Sequence, residues 1–212
     1  MSLHRADTVP DWEKVPESER NIFQRVAAKT KGIVTPGNIV SATGAVLVGA
    51  GLVDIARDKK ARGTALLIAG RLLDLGDGTA AELTGTKSPV GEGMDAVIDK
   101  TEIIIGLPIL AIKGMIPLQR AVDLGLQNLT SMTINGTAKA RGVEIHPSRS
   151  GKDWTMGCWS TVASYCIEES ARDEGVDALA AVAETTGDTL FQATSGLGWT
   201  ANSQYLEQAR AV

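Results

Sequence analysis

Residues 72–100 read LLDLGDGTAAELTGTKSPVGEGMDAVIDK. Two segments rich in small and apolar residues flank the turn Thr84-Gly85-Thr86-Lys87-Ser88, and Pro89 stands where a helix can begin. Asp74 and Asp77 are three residues apart and Asp95 and Asp99 four apart, so each pair shares a helix face. Ala81 and Gly91 lie one turn away on the same stripes. A connection this short makes the two helices neighbours, and their acidic faces can then oppose each other with four carboxylates around one small volume. Like charges so placed repel unless cations neutralise them, and carboxylate oxygens favour Mg²⁺ or Mn²⁺, as one ion or a pair. Gly78, Ala81 and Gly91 strip side chains from these faces and leave room for a ligand against backbone.

Working outward, Thr35-Pro36-Gly37-Asn38 breaks the chain and opens a helix of about 20 residues that ends near Arg57. The stretch 32–53 carries no charge, and Ser41, Ala45 and Gly49 recur every fourth residue as a small stripe that lets another helix approach. The acidic pairs fall on helices predicted over about 63–83 and 89–112, with Pro108 as a kink point in the second. Further helices are predicted over about 117–140, 153–171 and 176–210, the last with breaks near Gly187 and Gly196, and residues 141–152 read as a basic loop. The fold class is therefore all-α, a bundle of six main helices. Ahead of it, residues 18–31 form an amphipathic helix, with Ile22, Phe23 and Val26 on one face and Arg20, Arg25, Lys29 and Lys31 around it. It reads either as an interfacial helix or as a surface helix packed on its own core. Residues 1–15 are expected to be a disordered N-terminus, and residues 16–212 a single helical domain.

Composition narrows the function. A formal charge of −4 over 212 residues argues against nucleic-acid binding, which concentrates basic charge. Cys158, Cys166, His4 and His146 are too few and too scattered for a structural zinc site or a disulfide framework. Aromatic residues make up only 4% while 23 are glycine, which suits close helix packing better than a β-sandwich. The N-terminal His4, Arg5, Asp7, Asp11 and Glu13 leave no apolar leader core, so the N-terminus is expected to be cytoplasmic.

Written out, Asp74-x2-Asp77-Gly78-x2-Ala81-x9-Gly91-x3-Asp95-x3-Asp99 resembles the signature of the CDP-alcohol phosphotransferase family, membrane enzymes of phospholipid synthesis. The flanks are similar too: Thr35-Pro36-Gly37-Asn38 with Ser41 and Gly44 looks like the opening of the family's first spanning helix, and Ser88-Pro89-x-Gly91 like its lead into the third. Ser150-Gly151-Lys152-x2-Thr155 resembles the segment before the fifth helix in phosphatidylglycerophosphate synthase-like members. The likeness spans roughly residues 33–165, with one departure: Glu82 stands where the family has arginine.

The resemblance implies a six-helix bundle of that family type, multi-pass in the cell membrane, homodimeric, with its active site facing the cytoplasm. It implies a two-metal site of Mg²⁺ or Mn²⁺ on Asp74, Asp77, Asp95 and Asp99, with Asp99 as the base that deprotonates the acceptor hydroxyl. Asn38, Gly78, Ala81 and Gly91 would bind the CDP-linked substrate, most simply CDP-diacylglycerol. Arg141, Arg149 and Lys152 would hold an acceptor phosphate such as that of glycerol 3-phosphate.

The last two helices pull the other way. Glu168, Glu169, Glu174, Asp177, Glu184 and Asp188 are expected to face water or a polar cavity, since a charge at the bilayer centre costs ~2.5–3.5 kcal/mol. A mean hydropathy of +0.02 is that of a soluble protein. The alternative reading is a soluble or polarised, catalytically impaired bundle that keeps the fold and metal site, an engineered soluble analogue among them.

Overall fold

The computed structural model describes residues 9–210 apart from Glu144 and Pro147, and all side chains among them except those of Glu92, Asp95 and Ala96. The described residues contain helices and no strand. Two 3-10 turns, Asp11–Lys14 and Glu17–Glu19, precede α1 (Ile22–Lys29), α2 (Pro36–Ala56), α3 (Lys60–Thr84), α4 (Pro89–Ile112), α5 (Leu118–Ala140), α6 (Arg149–Asp173) and α7 (Asp177–Arg210). The six main helices and the amphipathic helix before them are those the periodicity predicts.

Helix ends differ from the predicted ones where capping outweighs composition. The helix α1 starts later than residue 18 because Asn21 closes a capping box, accepting from the Gln24 N–H at 2.9 Å while Gln24 Oε1 accepts from the Asn21 N–H at 3.0 Å. The helix α6 starts four residues earlier than predicted because Ser148 Oγ accepts from the Gly151 N–H at 3.0 Å. Arg149 and Lys152 therefore sit on a helical first turn, not in the basic loop expected there. The helix α7 is unbroken at Gly187 and Gly196, and Gly187 serves packing: a Cβ there would lie 3.1 Å from the Tyr165 ring. Of the disordered N-terminus expected over residues 1–15, residues 1–8 lie outside the described residues, whereas Trp12 in the first 3-10 turn is buried to 3% exposure.

Two compact units are distinguishable. One comprises Met1–Gly51 and Ala65–Glu102. Within it α2 and α3 meet backbone to backbone at Gly44 and Gly70, beside buried Val48 and Leu67. This close approach, and not the stripe at Ala45 and Gly49, is where glycine is needed; Gly49 has nothing within 4 Å of a would-be Cβ. The helix α1 docks on the end of α3 in the same unit, through Asn21 Nδ2 to the Thr84 carbonyl at 3.2 Å and Gln24 Nε2 to the Gly85 carbonyl at 3.3 Å.

The other unit comprises Leu52–Thr64 and Ile103–Val212. Its core is built from Ile55, Leu110, Met115, Ile116, Leu124 and Tyr165, all fully or nearly fully buried. The acidic residues of α6 and α7 are largely neutralised within it. Arg172 pairs with Glu168 at 2.7 Å and Glu184 at 2.8 Å, and Asp188 accepts from the Tyr165 hydroxyl at 2.7 Å. Glu168 is buried, contrary to the expectation that these acids face water or a polar cavity, because the Arg172 guanidinium lies against it. Glu174, Asp177 and Glu184 are exposed.

Candidate active site

The site residues in the first unit are set by three helices and one turn. Helix α3 presents Arg71, Asp74 and Asp77 at three-residue spacing, and α4 presents Asp99 and Glu102 at the same spacing. Between the helices, Gly85 takes the left-handed conformation at φ +64°, and Ser88 Oγ caps α4 by accepting from the Gly91 N–H at 3.1 Å. The Asp11 N–H donates to the Lys87 carbonyl at 3.0 Å and fixes the outer side of this turn.

Asp74 and Asp99 converge as expected, but on an arginine. Arg71 reaches Asp74 at 3.1 Å, Asp99 at 2.7 Å and Glu102 at 2.9 Å, with all four side chains largely withdrawn from solvent. Asp77 turns toward α2 instead, where Ser41 Oγ donates to it, and the N–H of Gly78, the next residue on α3, donates as well. The side chain of Asp95 lies outside the described residues. Four carboxylates around one volume were expected; among the described residues no group of three His, Cys, Asp or Glu side chains is arranged to hold a metal. The physical reason is the counter-charge: opposed carboxylates need a cation, and the guanidinium of Arg71 fills that need.

The donor set nevertheless fits a divalent ion. Asp74, Asp77 and Asp99 offer hard oxygen ligands, the kind Mg²⁺ and Mn²⁺ take, and the guanidinium already stands as a positive charge between two of them.

Asp77 also lines a cleft of about 150 Å³ that gathers four of the residues expected to bind substrate. Asn38, Gly78, Ala81 and Gly91 all line it, together with Asp77 and Lys87. Gly78 is open, with nothing within 4 Å of a would-be Cβ. Gly91 is not open: a Cβ there would stand 2.9 Å from Asn38 Oδ1, so this glycine admits the Asn38 amide. Asn38 Nδ2 in turn donates to the carbonyls of Gly32 and Ile33 at 2.9 and 3.0 Å. Gly37 brings α2 within 3.0 Å of Ala81 and the Asp77 carbonyl by the same measure.

Sequence reasoning missed Arg71, Glu102 and Lys87, and read Ser41 as a small packing residue and as part of the family-like opening of the first long helix, not as a partner of Asp77. The signal for the first two was available, since Arg71 is one turn before Asp74 and Glu102 one turn after Asp99. Lys87 pairs with Glu82 at 3.2 Å at the rim of the cleft, both side chains well exposed. Arg141, Arg149 and Lys152 belong to the second unit, where Arg141 ends α5 and the other two, both exposed, lie on the first turn of α6.

The model of the family described as CDP-alcohol phosphatidyltransferase matches residues 34–189. No curated protein and no solved structure matches the chain. The matched span contains every motif aspartate, the whole cleft and the first turn of α6. Members of the family transfer a phosphatidyl group from a CDP-alcohol with release of CMP, are typically dependent on divalent metal, and are membrane proteins. In this chain α2 is, among the described residues, the one helix long and apolar enough to cross a membrane, with a mean hydropathy of 1.9. A family match over most of the chain, falling on the carboxylates and the cleft, settles the assignment: this protein belongs to the CDP-alcohol phosphatidyltransferase family.

Proposed function

We propose that the chain transfers a phosphatidyl group from CDP-diacylglycerol to a phosphorylated polyol, with glycerol 3-phosphate as the first candidate, in the manner of phosphatidylglycerophosphate synthases. The observation that carries this reading is a cleft that Asp77 lines together with Asn38, Gly78, Ala81 and Gly91, while Asp74, one turn earlier on α3, meets Asp99 of α4 through Arg71. Asp74, Asp77, Asp95 and Asp99 would hold two divalent ions, which supply charge neutralisation to a bound pyrophosphate and to the departing CMP. The open backbone at Gly78 and the small side chain of Ala81 accept the nucleotide, and Asn38, fixed by two backbone carbonyls, lines the opposite side. Lys87 brings a positive charge to the rim where the family's arginine is replaced by Glu82. Asp99 takes the proton of the acceptor hydroxyl as its oxygen bonds to the β-phosphorus, and the bond from that phosphorus to the CMP oxygen breaks. Arg141, Arg149 and Lys152 are read as ligands of the acceptor phosphate; the helical first turn of α6 supports this for the latter two, since the positive end of the helix dipole there favours an anion.

The proposed location is the cell membrane, multi-pass, with the site on the cytoplasmic side and a homodimer packed through spanning helices. Supporting it are α2 and the apolar side of α1, where Ile22, Phe23 and Val26 are exposed beside basic residues, the pattern of an interfacial helix. A second support is the exposed apolar groove of about 410 Å³ between α4 and α5 in the second unit. Reading residues 16–212 as one domain is supported by the family match, which crosses both compact units.

The test is CMP release from CDP-diacylglycerol and glycerol 3-phosphate with Mg²⁺ or Mn²⁺. Asp95→Asn and Asp99→Asn should each abolish it; parental rates in either variant would overturn the mechanism. Glu82 favours a second reading, a catalytically impaired bundle. An inactive parent that stays silent as Glu82→Arg would establish that reading, whereas activity gained by the substitution would mark a weakened enzyme.

A further inference from the structure

Arg71 and Glu102 are both outside the aspartate motif, yet Arg71 pairs with three carboxylates in the site, Glu102 among them. Arg71 Nη2 lies 3.1 Å from Asp74 on its own helix, while Nη1 lies 2.7 Å from Asp99 and 2.9 Å from Glu102. Side-chain exposures of 13%, 11%, 23% and 9% for Arg71, Asp74, Asp99 and Glu102 show how far the cluster is removed from water, where its charges act strongly on one another. Three carboxylates on one guanidinium leave an excess of negative charge, so the cluster still attracts cations. Arginine stays protonated in proteins and cannot leave such a site by losing its charge. A divalent ion bound by Asp74 and Asp99 at about 2.0–2.1 Å, the Mg²⁺ distance, would stand within a few ångströms of a guanidinium kept on the same carboxylates, and the two positive charges repel strongly there.

We propose that Arg71 is a resident counter-cation in exchange with divalent metal: it holds Asp74 and Asp99 together until the metal binds them, and Glu102 then keeps the guanidinium beside the site. The proposal rests on the reading of Asp74 and Asp99 as metal ligands. Glu102 is suited to this part because it shares Nη1 with Asp99, so the guanidinium can give up both motif aspartates through a small rotation while one strong contact persists. Arg71 and Glu102 are positioning residues here; neither touches substrate.

The experiment uses the full chain in detergent and reads Mn²⁺ affinity by titration, with melting temperature in chelator and in Mn²⁺ as a second readout. Arg71→Gln should melt lower than the parent in chelator, because buried carboxylates lose their partner, and should bind Mn²⁺ roughly tenfold tighter or more. Glu102→Gln should bind Mn²⁺ roughly tenfold to a hundredfold more weakly, because the guanidinium then rests on the metal's own ligands. The double variant should bind like Arg71→Gln alone. Parental or weaker Mn²⁺ affinity in Arg71→Gln, with the parent itself binding, overturns this proposal and leaves the metal-site reading standing. No Mn²⁺ binding by the parent or any variant overturns both. If Arg71→Gln fails to fold, Glu102→Gln decides: parental or tighter affinity overturns the exchange.

Discussion

A Cβ on Gly70 would stand 2.6 Å from the carbonyl oxygen of Gly44, and one on Gly44 would stand 2.8 Å from the carbonyl of Gly70. The two backbones touch one turn before Asp74, whose N–H lies 3.5 Å from the same would-be Cβ on Gly44. Gly70→Ala must therefore push α2 and α3 apart. Overpacking of this kind costs typically about 1–3 kcal/mol and here also displaces the first motif aspartate. Gly49→Ala is the matched control: it meets nothing within 4 Å and should be neutral or stabilising by up to about 1 kcal/mol, the usual gain in helix propensity. Melting curves in detergent separate the two, and equal melting temperatures would show that the crossing is elsewhere.

Ser41 ties the second motif aspartate to α2. Ser41→Ala removes the hydroxyl donor to Asp77 without altering the helix, and a lost partner behind a ligand carboxylate usually lowers metal affinity roughly tenfold to a hundredfold. Ser41→Thr keeps the hydroxyl and should keep most of the affinity. Mn²⁺ titration is the measurement; equal affinity in Ser41→Ala would remove Asp77 from the ligand set.

At the rim of the cleft, Lys87 and Glu82 oppose each other in sign. Lys87→Met should raise KM for CDP-diacylglycerol about threefold to tenfold with kcat little changed, the signature of lost ground-state contact with phosphate. Glu82→Gln should lower KM by a smaller factor. Both effects should shrink with added salt, since the pair is well exposed. A change in kcat alone would assign Lys87 a different role.

Far from the carboxylates, Asp188 collects two partners from neighbouring helices: the hydroxyl of buried Tyr165 at 2.7 Å and Arg120 at 3.4 Å, whose guanidinium lies 4.3 Å from the Phe191 ring centre. Asp188→Ala leaves the Tyr165 hydroxyl without its acceptor and should cost about 1–3 kcal/mol. Asp188→Asn, which keeps an acceptor, should cost less. Denaturation of the purified variants checks the order, and a tolerated Asp188→Ala would make this contact incidental to the packing.

Much of this architecture could be read from the chain before its coordinates. The helix α4 occupies 89–112 as predicted, because Pro89 at the start and Gly114 just beyond the end bracket an uninterrupted pattern. The start of α6 was hidden because Pro147, Ser150 and Gly151 look like loop residues, while a single side chain, Ser148, nucleates the helix. The continuity of α7 was hidden for the opposite reason: Gly187 weakens a helix in isolation, and only the Tyr165 ring packed against it explains its presence. At the site, spacing alone put Asp74, Asp77 and Asp99 on inward faces. It could not reveal which counter-charge they find, since that depends on which of many lysines and arginines the fold carries inside.

The family match begins at residue 34 and contains every residue that lines the cleft, yet the contacts that brace the turn beside it begin earlier in the chain. The Asp11 N–H holds the Lys87 carbonyl, Trp12 packs where Gly32 leaves no side chain, and Asn21 and Gln24 take up the terminal carbonyls of α3. A shortened chain trimmed to the family boundary would strip those carbonyls of their donors and unbrace the turn that carries Lys87 and Ser88. The segment ahead of the family match is thus a buttress of the turn that borders the cleft, and the folded unit around that turn reaches upstream to Asp11.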